Sequence, residues 1–285
     1  MNLLYPIIST AVVIAVLICI YIKYKVENES YLGMKLIGYY ILGAFRLNLN
    51  KIAFPLGFII FILFFRPKIN SSAKRLAAWL GLLIFIAGLL VPYISEVYFE
   101  RTREINASNT NLYKVEYGKD LSKICHTLKI PDSSSIDSFR AEFEKDGSIR
   151  ELRFDLVVPT DKGYNLFHVQ LSTKECKYRI NPIKVNEWLQ YPRLMPASYV
   201  FEIFDKLGLD KIKPSSNYDF YTLGLSESSN YVDLNRPVFL IQEHTITNID
   251  KKQLPNDAHS LIMTGMDKVT ENSWEGKEYI YYCFR

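Results

Sequence analysis

The pattern of hydrophobic positions changes near residue 97: before it they form unbroken runs, and after it they alternate with polar residues. Leu3 to Ile22 is an uncharged run of about 20 residues, the length that crosses a ~30 Å hydrocarbon core at 1.5 Å per residue. Leu76 to Ile94 is a second such run, bounded by Lys74-Arg75 and Glu96. No basic residue precedes the first run and Lys23-Tyr24-Lys25 follows it, so it reads as a retained anchor rather than a cleaved leader.

Between these runs the apolar stretches are shorter. Ile52 to Phe65 includes Pro55 and Gly57, and Tyr31 to Leu47 carries Lys35 and Arg46 near its ends. Joined by the polar turn Asn48-Leu49-Asn50-Lys51, they read as a tight helical hairpin whose end charges snorkel to the interfaces. In the alternative, residues 31–47 lie flat at the interface and three spans remain. The expected organisation is a transmembrane helical region over 1–97, with three to four spans at about 3–22, 31–47, 52–65 and 76–95, and a linker at 98–110.

The rest reads as an α+β domain with an antiparallel sheet. Leu121, Ile124, Cys125 and Leu128 make one helical stripe. The period then becomes two: Phe139, Ala141 and Phe143 alternate with Ser138, Arg140 and Glu142, and a turn at Asp146-Gly147 leads into Leu152, Phe154, Leu156 and Val158. Pro159-Thr-Asp-Lys-Gly163 turns the chain into Phe167, Val169 and Leu171, and a short fourth strand is expected at 178–180. A second helix starts at Met195-Pro196, carries Val200, Ile203, Phe204 and Leu207, and ends at Gly208. Strands are expected at 218–225, 237–247, 260–266 and 277–284. Two helix-plus-meander modules follow, 111–192 and 193–285, forming either two lobes or one continuous sheet with helices on one face.

The hairpin Phe139-Arg-Ala-Glu-Phe-Glu-Lys-Asp-Gly-Ser-Ile149-Arg-Glu-Leu-Arg-Phe154, with the helix before it, resembles the small helix-then-meander modules called PepSY-like, found outside the membrane in many bacterial proteins. The whole chain resembles bacterial multi-span membrane proteins. The resemblance implies a binding or regulatory module and carries over no catalytic residue.

Charge decides orientation. The chain carries a formal net charge of +4, but residues 1–97 hold nine Lys and Arg against three Glu, leaving 25 basic and 27 acidic residues for the rest. The excess falls between the apolar runs, so it marks cytoplasmic loops and offers no footprint for nucleic acid. Lys23, Lys25 and Lys35 share a side with Arg66, Lys68, Lys74 and Arg75 only if an even number of crossings separates them. Four spans with the N-terminus outside satisfy this, and residues 98–285 are then outside.

Motifs for chemistry are absent from the sequence. His126, His168, His244 and His259 have no ligand spacing. Glu243 and His244 point to opposite faces of an expected strand. Gly224-Leu-Ser-Glu-Ser228 lacks the second Gly of a nucleophile elbow. Ser71-Ser-Ala-Lys74 is read as a helix start and a charged anchor. Arg140, Glu142 and Glu144 read as a salt-bridged solvated face. Cys19 is a packing residue; Cys125, Cys176 and Cys283 are either buried thiols or include one bridge, with Cys125–Cys176 the first pairing to expect. Asn106-Ala-Ser108 has the letters of a glycosylation site. In the final aromatic strand, Tyr279, Tyr281 and Cys283 face one side, and Ile280, Tyr282 and Phe284 the other.

The expectation is therefore a multi-pass cell-membrane protein whose partners are the bilayer and a protein or cell-envelope component, with no assigned catalytic, cofactor or metal residue. A membrane-anchored envelope hydrolase with a site between lobes is the alternative, and a transport or signalling subunit a second one.

Overall fold

The computed structural model describes residues 4–49, 52–189, 191–212, 214, 216–226, 238–242, 245–250, 259–270 and 273–284. The chain divides into two units, Met1–Tyr98 and Phe99–Arg285.

The first unit contains α1 (Leu4–Tyr24), α2 (Leu32–Ala44), β1 (Leu47–Leu49), β2 (Ile52–Phe54), α3 (Leu56–Phe64) and α4 (Ser71–Glu100), whose last two residues lie past the division. The helices α1, with 21 residues, and α4, with 30, are long and apolar enough to cross a membrane. The two middle runs depart from the expectation of plain helices. α2 has 13 residues and α3 nine, and the turn between them is a small hairpin pairing Leu47 with Phe54 and Asn48 with Ala53. Pro55 causes this: it has no N–H to give a preceding turn, so the chain before it stays extended and the helix starts at Leu56. α4 runs through Pro92 and extends past the expected run at both ends.

Small residues bring these helices together. Ala73, Ala77 and Ala78 are fully buried. A methyl group at Gly43 would overlap the carbonyl of Ala78, one at Gly81 that of Tyr40, and one at Gly57 that of Leu42. Such contacts let the helix backbones approach closely. Large apolar side chains face outward instead: among the described residues, all but five of the exposed ones lie between Ile7 and Tyr98.

A polar latch joins the loop after α1 to the start of α4. Asn70, 4% exposed and at φ 48°, accepts the N–H groups of Val26 (2.9 Å) and Glu27 (3.0 Å) on Oδ1. Its Nδ2 donates to the Glu27 carbonyl (3.0 Å) and to Glu29 Oε2 (3.1 Å). Glu29 Oε1 receives Lys35 (2.8 Å) and Lys74 (2.7 Å). Hydrogen bonds from Lys35, then Lys74 and Asn70, lower the Glu29 carboxyl to about 2. Lys74, expected as a lipid anchor, is buried in this pair.

The second unit holds β3 (Arg103–Asn106), α5 (Tyr117–Leu128), β4 (Ser135–Phe143), β5 (Ile149–Thr160), β6 (Gly163–Ser172), β7 (Lys177–Val185), β8 (Met195–Pro196), α6 (Ala197–Leu207), β9 (Phe220–Ser226), β10 (Val238–Gln242), β11 (Thr245–Asn248), β12 (His259–Thr270) and β13 (Ser273–Phe284). Of the two arrangements left open, the structure has one continuous sheet in the order β11-β10-β13-β12-β9-β4-β5-β6-β7-β3, with β8 beside β4. The join is β4 with β9, where Arg140 opposes Gly224 and Phe143 opposes Tyr221. β10 runs parallel to β13, so the second half is not a simple meander. Part of the expected linker is an edge strand, because β3 turns Ile105 into the core and pairs with β7. Met195-Pro196, expected as the first helical turn, pairs with Ser135 and Ile136 instead, and α6 starts at Ala197.

Both helices cover one face of the sheet. α5 buries Tyr117, Leu121, Ile124 and Cys125; α6 buries Val200, Phe201, Phe204 and Leu207. Tyr117, Phe139, Phe154, Phe201 and Phe204 form one aromatic cluster with ring centroids 5.0 to 6.3 Å apart. Burying each such ring stabilises the fold by about 1.5–3 kcal/mol. Phe201 takes the place expected of Ile203, which is only partly buried. On β13, Tyr282 and Phe284 join this core, while Tyr281 and Cys283 build a smaller cluster with Val238 on the opposite face.

Candidate functional site

Strand alternation that sends Phe139, Phe154, Val169 and Ile180 into the core sends their neighbours to the open face. Ser138 on β4, Asp155 on β5, His168 on β6 and Asn181 on β7 stand opposite one another in a row. The Asp155 carboxylate bridges two members: Ser138 Oγ donates to Oδ2 at 2.8 Å, and His168 Nδ1 meets Oδ1 at 2.6 Å. Asn181 accepts from Thr102 at 2.6 Å. With Nδ1 held by a carboxylate, the second ring nitrogen of His168 is the one available to a ligand, and the side chain is 44% exposed.

The next row carries charge. Arg140 opposes Arg153, and Arg153 opposes Gln170. Arg140 bonds Glu142 at 2.8 Å, whereas Arg153 meets Glu151 at 3.6 Å, beyond hydrogen-bonding distance. Together Ser138, Arg140, Glu151, Arg153, Asp155, His168, Gln170 and Asn181 line a groove of about 500 Å³.

A β-bulge shapes one end. The register of β4 against β5 shifts between Ile136 and Ser138, which leaves Asp137 without an opposite residue and re-aims its side chain. Trp188 Nε1 donates to Asp137 Oδ1 at 3.1 Å. Burial pushes the Asp137 carboxyl up and nearby Asp155 adds to this, while the Trp188 hydrogen bond and His168 act the other way.

Chemically, the arrangement orients an imidazole beside two guanidinium groups. It is not a serine nucleophile relay, in which the imidazole stands between hydroxyl and carboxylate; here the carboxylate is in the middle. Glu142 pairs with Arg140 and Glu144 with Arg150 at 2.5 Å. His126 is an exposed residue on α5, and His259 packs beside Phe284. Gly224 lies on β9, while Glu227, Ser228, Glu243 and His244 fall outside the described residues. Cys19, Cys125, Cys176 and Cys283 are all free thiols, so the pairing of Cys125 with Cys176 is not made. Cys125 instead lies 3.9 Å from the Ser134 hydroxyl on the buried helix face, and Cys176 Sγ donates to the Ala107 carbonyl at 3.6 Å. Among the described residues no cluster of His, Cys, Asp and Glu is arranged to hold a metal.

Sequence reading placed His168 on a polar face but missed Asp155 as its partner. The signal was the turn: Asp155 stands five residues before Thr160 and His168 five after Gly163, and Thr160 opposes Gly163.

Fold and site together define a mixed α+β domain, with a polar groove on its open sheet face, in a chain with two helices long enough to cross a membrane. A protein-family model described as an archaeal family matches residues 122–281, from within α5 to within β13, and the chain belongs to that archaeal family. No curated protein and no solved structure matches the chain.

Proposed function

We propose that this is a multi-pass membrane protein that presents its α+β domain outside the cell, and that the open sheet face receives a protein or cell-envelope partner in a binding or regulatory role. The observation that carries this reading is the asymmetry of the sheet around β4 to β7. One face is closed by α5 and α6, and the other leaves a groove lined by polar groups from four strands. The helix-then-meander order of α5 and β4 to β7 is also the feature behind the PepSY-like resemblance, which remains part of the proposal.

The latch supports this topology. Asn70 and Lys74 hold Val26, Glu27 and Glu29, so the loops before α2 and after α3 share a side and an even number of crossings separates them. α2 with β1 measures about 20 plus 10 Å, and α3 with β2 about 13 plus 10 Å. The helices alone fall short of the ~30 Å core, and the open edges of β1 and β2 need water or headgroups as partners, so four spans require a hairpin that crosses a locally thinned bilayer with its strand tip at the interface. The basic residues at the latch side support a cytoplasmic position for it. In intact cells, a membrane-impermeant maleimide is expected to mark half-buried Cys176 and to leave Lys68→Cys unmarked; marking at 68 with Cys176 untouched reverses the orientation.

Partner binding is tested by a photo-crosslinker at Gln170 in native membranes, with Ser122 on the exposed side of α5 as control. Adducts at 170 alone support the groove; adducts at both sites, or at neither, count against it. A second reading, an envelope hydrolase in which His168 takes a proton from water, draws on the same Asp155–His168 pair. Its site lies on an open face rather than between lobes.

A further inference from the structure

The groove has a feature that a solvated salt-bridged face does not need: Arg140 and Arg153 are directly opposed across β4 and β5. Directly opposed like charges destabilise a sheet. The carboxylates that offset them do so unevenly. Glu142 holds Arg140 at 2.8 Å, but Glu151 stands 3.6 Å from Arg153, and Glu142 and Glu151 oppose each other one row further on. Both oxygens of Asp155 are engaged by Ser138 and His168. Arg153 therefore enters the groove with donors to spare, flanked by the Gln170 amide on β6.

We propose that this groove binds a small oxyanion, a carboxylate or phosphate group borne by the partner, and that binding is coupled to protonation of His168. The proposal rests on the open face being the ligand face. Planar guanidinium groups match either oxyanion with paired N–H donors. The imidazole supplies the coupling. When neutral, with Nδ1–H given to Asp155, its Nε2 is an acceptor and faces an anion lone pair to lone pair; when protonated, Nε2–H is a donor and Asp155 balances the charge. The charged and titratable groups facing this imidazole are Asp155 and Arg153 on β5, Asp137 and Arg140 on β4, Glu151 beside Arg153 and, on β7 next to neutral Asn181, Arg179 opposite Gln170, which Glu104 and Glu175 hold.

The test is calorimetric titration of the full chain in lipid nanodiscs with inorganic phosphate in one arm and acetate in the other, from pH 5.5 to 8. One of the ions is expected to bind, more weakly as pH rises, with the loss approaching about tenfold per pH unit where one proton is linked. Because phosphate itself titrates in this range, proton uptake is read from buffers of different ionisation enthalpy. His168→Gln should flatten the acetate profile and reduce proton uptake in either arm; Arg153→Ala should weaken binding about tenfold, with Arg153→Lys recovering part of it. Both positions are on the exposed face, and unchanged melting of each variant shows that the domain is intact. Absence of binding by both ions overturns the proposal, as does binding that ignores Arg153 or takes up no proton. Crosslinking at Gln170 without oxyanion binding leaves the partner-binding reading standing and removes this one; failure of both removes both.

Discussion

The carboxylate of Asp205 on α6 accepts the backbone N–H of Tyr117 at 2.9 Å, and that of Gly118 at 2.8 Å, so one helix caps the start of the other. The N-terminal N–H groups of a helix have no partner within it, and the residue preceding α5, Glu116, provides no side-chain cap. Asp205 also places a negative charge where the helix dipole favours it. Asp205→Ala is expected to cost about 0.5–2 kcal/mol, read as a melting temperature lowered by roughly 2–4 °C per kcal/mol for a unit of this size. Asp205→Asn, which keeps an acceptor oxygen, should recover part of the loss.

The latch at Asn70 makes stability depend on acid. Glu29 is held at about 2 against its ordinary 4.5. A lowered carboxyl contributes stability that is complete above the unfolded value and is lost as pH falls from there toward 2. Melting of the wild type and Glu29→Gln in nanodiscs should show the wild type ahead at pH 6, with the gap narrowing at pH 3. An equal gap at both values would remove the ionic contribution.

Close approach of α2 to α4 has no slack. Gly43→Ala drives a methyl group into the Ala78 carbonyl, and overpacking of this kind costs about 1–3 kcal/mol. Gly38→Ala on the same helix, where a methyl group meets nothing within 4 Å, should be tolerated. Comparing the two variants by melting in detergent separates a packing clash from a general effect of replacing glycine.

Asp137 has the opposite sign to Glu29. Burial raises its carboxyl, with Asp155 adding to the rise, so its ionised form is penalised and stability falls as pH rises through its folded-state value. Asp137→Asn keeps an oxygen for Trp188 and removes the charge. The variant should melt higher than the wild type at pH 7 and equal it at pH 3, where both are neutral. A variant less stable at pH 7 would show that the charge is needed there.

Local patterns made several elements legible in the sequence. The 3.6-residue stripe through Leu121, Ile124 and Cys125, the alternation around Phe139 and Phe154, and the turns at Gly147 and Gly163 each depend on neighbouring residues, and each is present at its expected place. The two long apolar runs became helices for the same reason, while Pro55, whose restriction is also local, moved the start of α3 to Leu56.

What only the tertiary structure decided depends on residues far apart in the chain. β9 joins β4 and makes one sheet of two stretches that each looked self-contained. Lys74 reaches Glu29, and Asp205 caps α5. Asp155 gains His168 and Ser138 through strand register, and Arg140 comes to oppose Arg153. The sequence by itself determined periodicity, turns and charge asymmetry, because these follow from local backbone and solvation preferences. The groove belongs to the tertiary structure, because it exists only when separate strands are set side by side and the helices are committed to the other face.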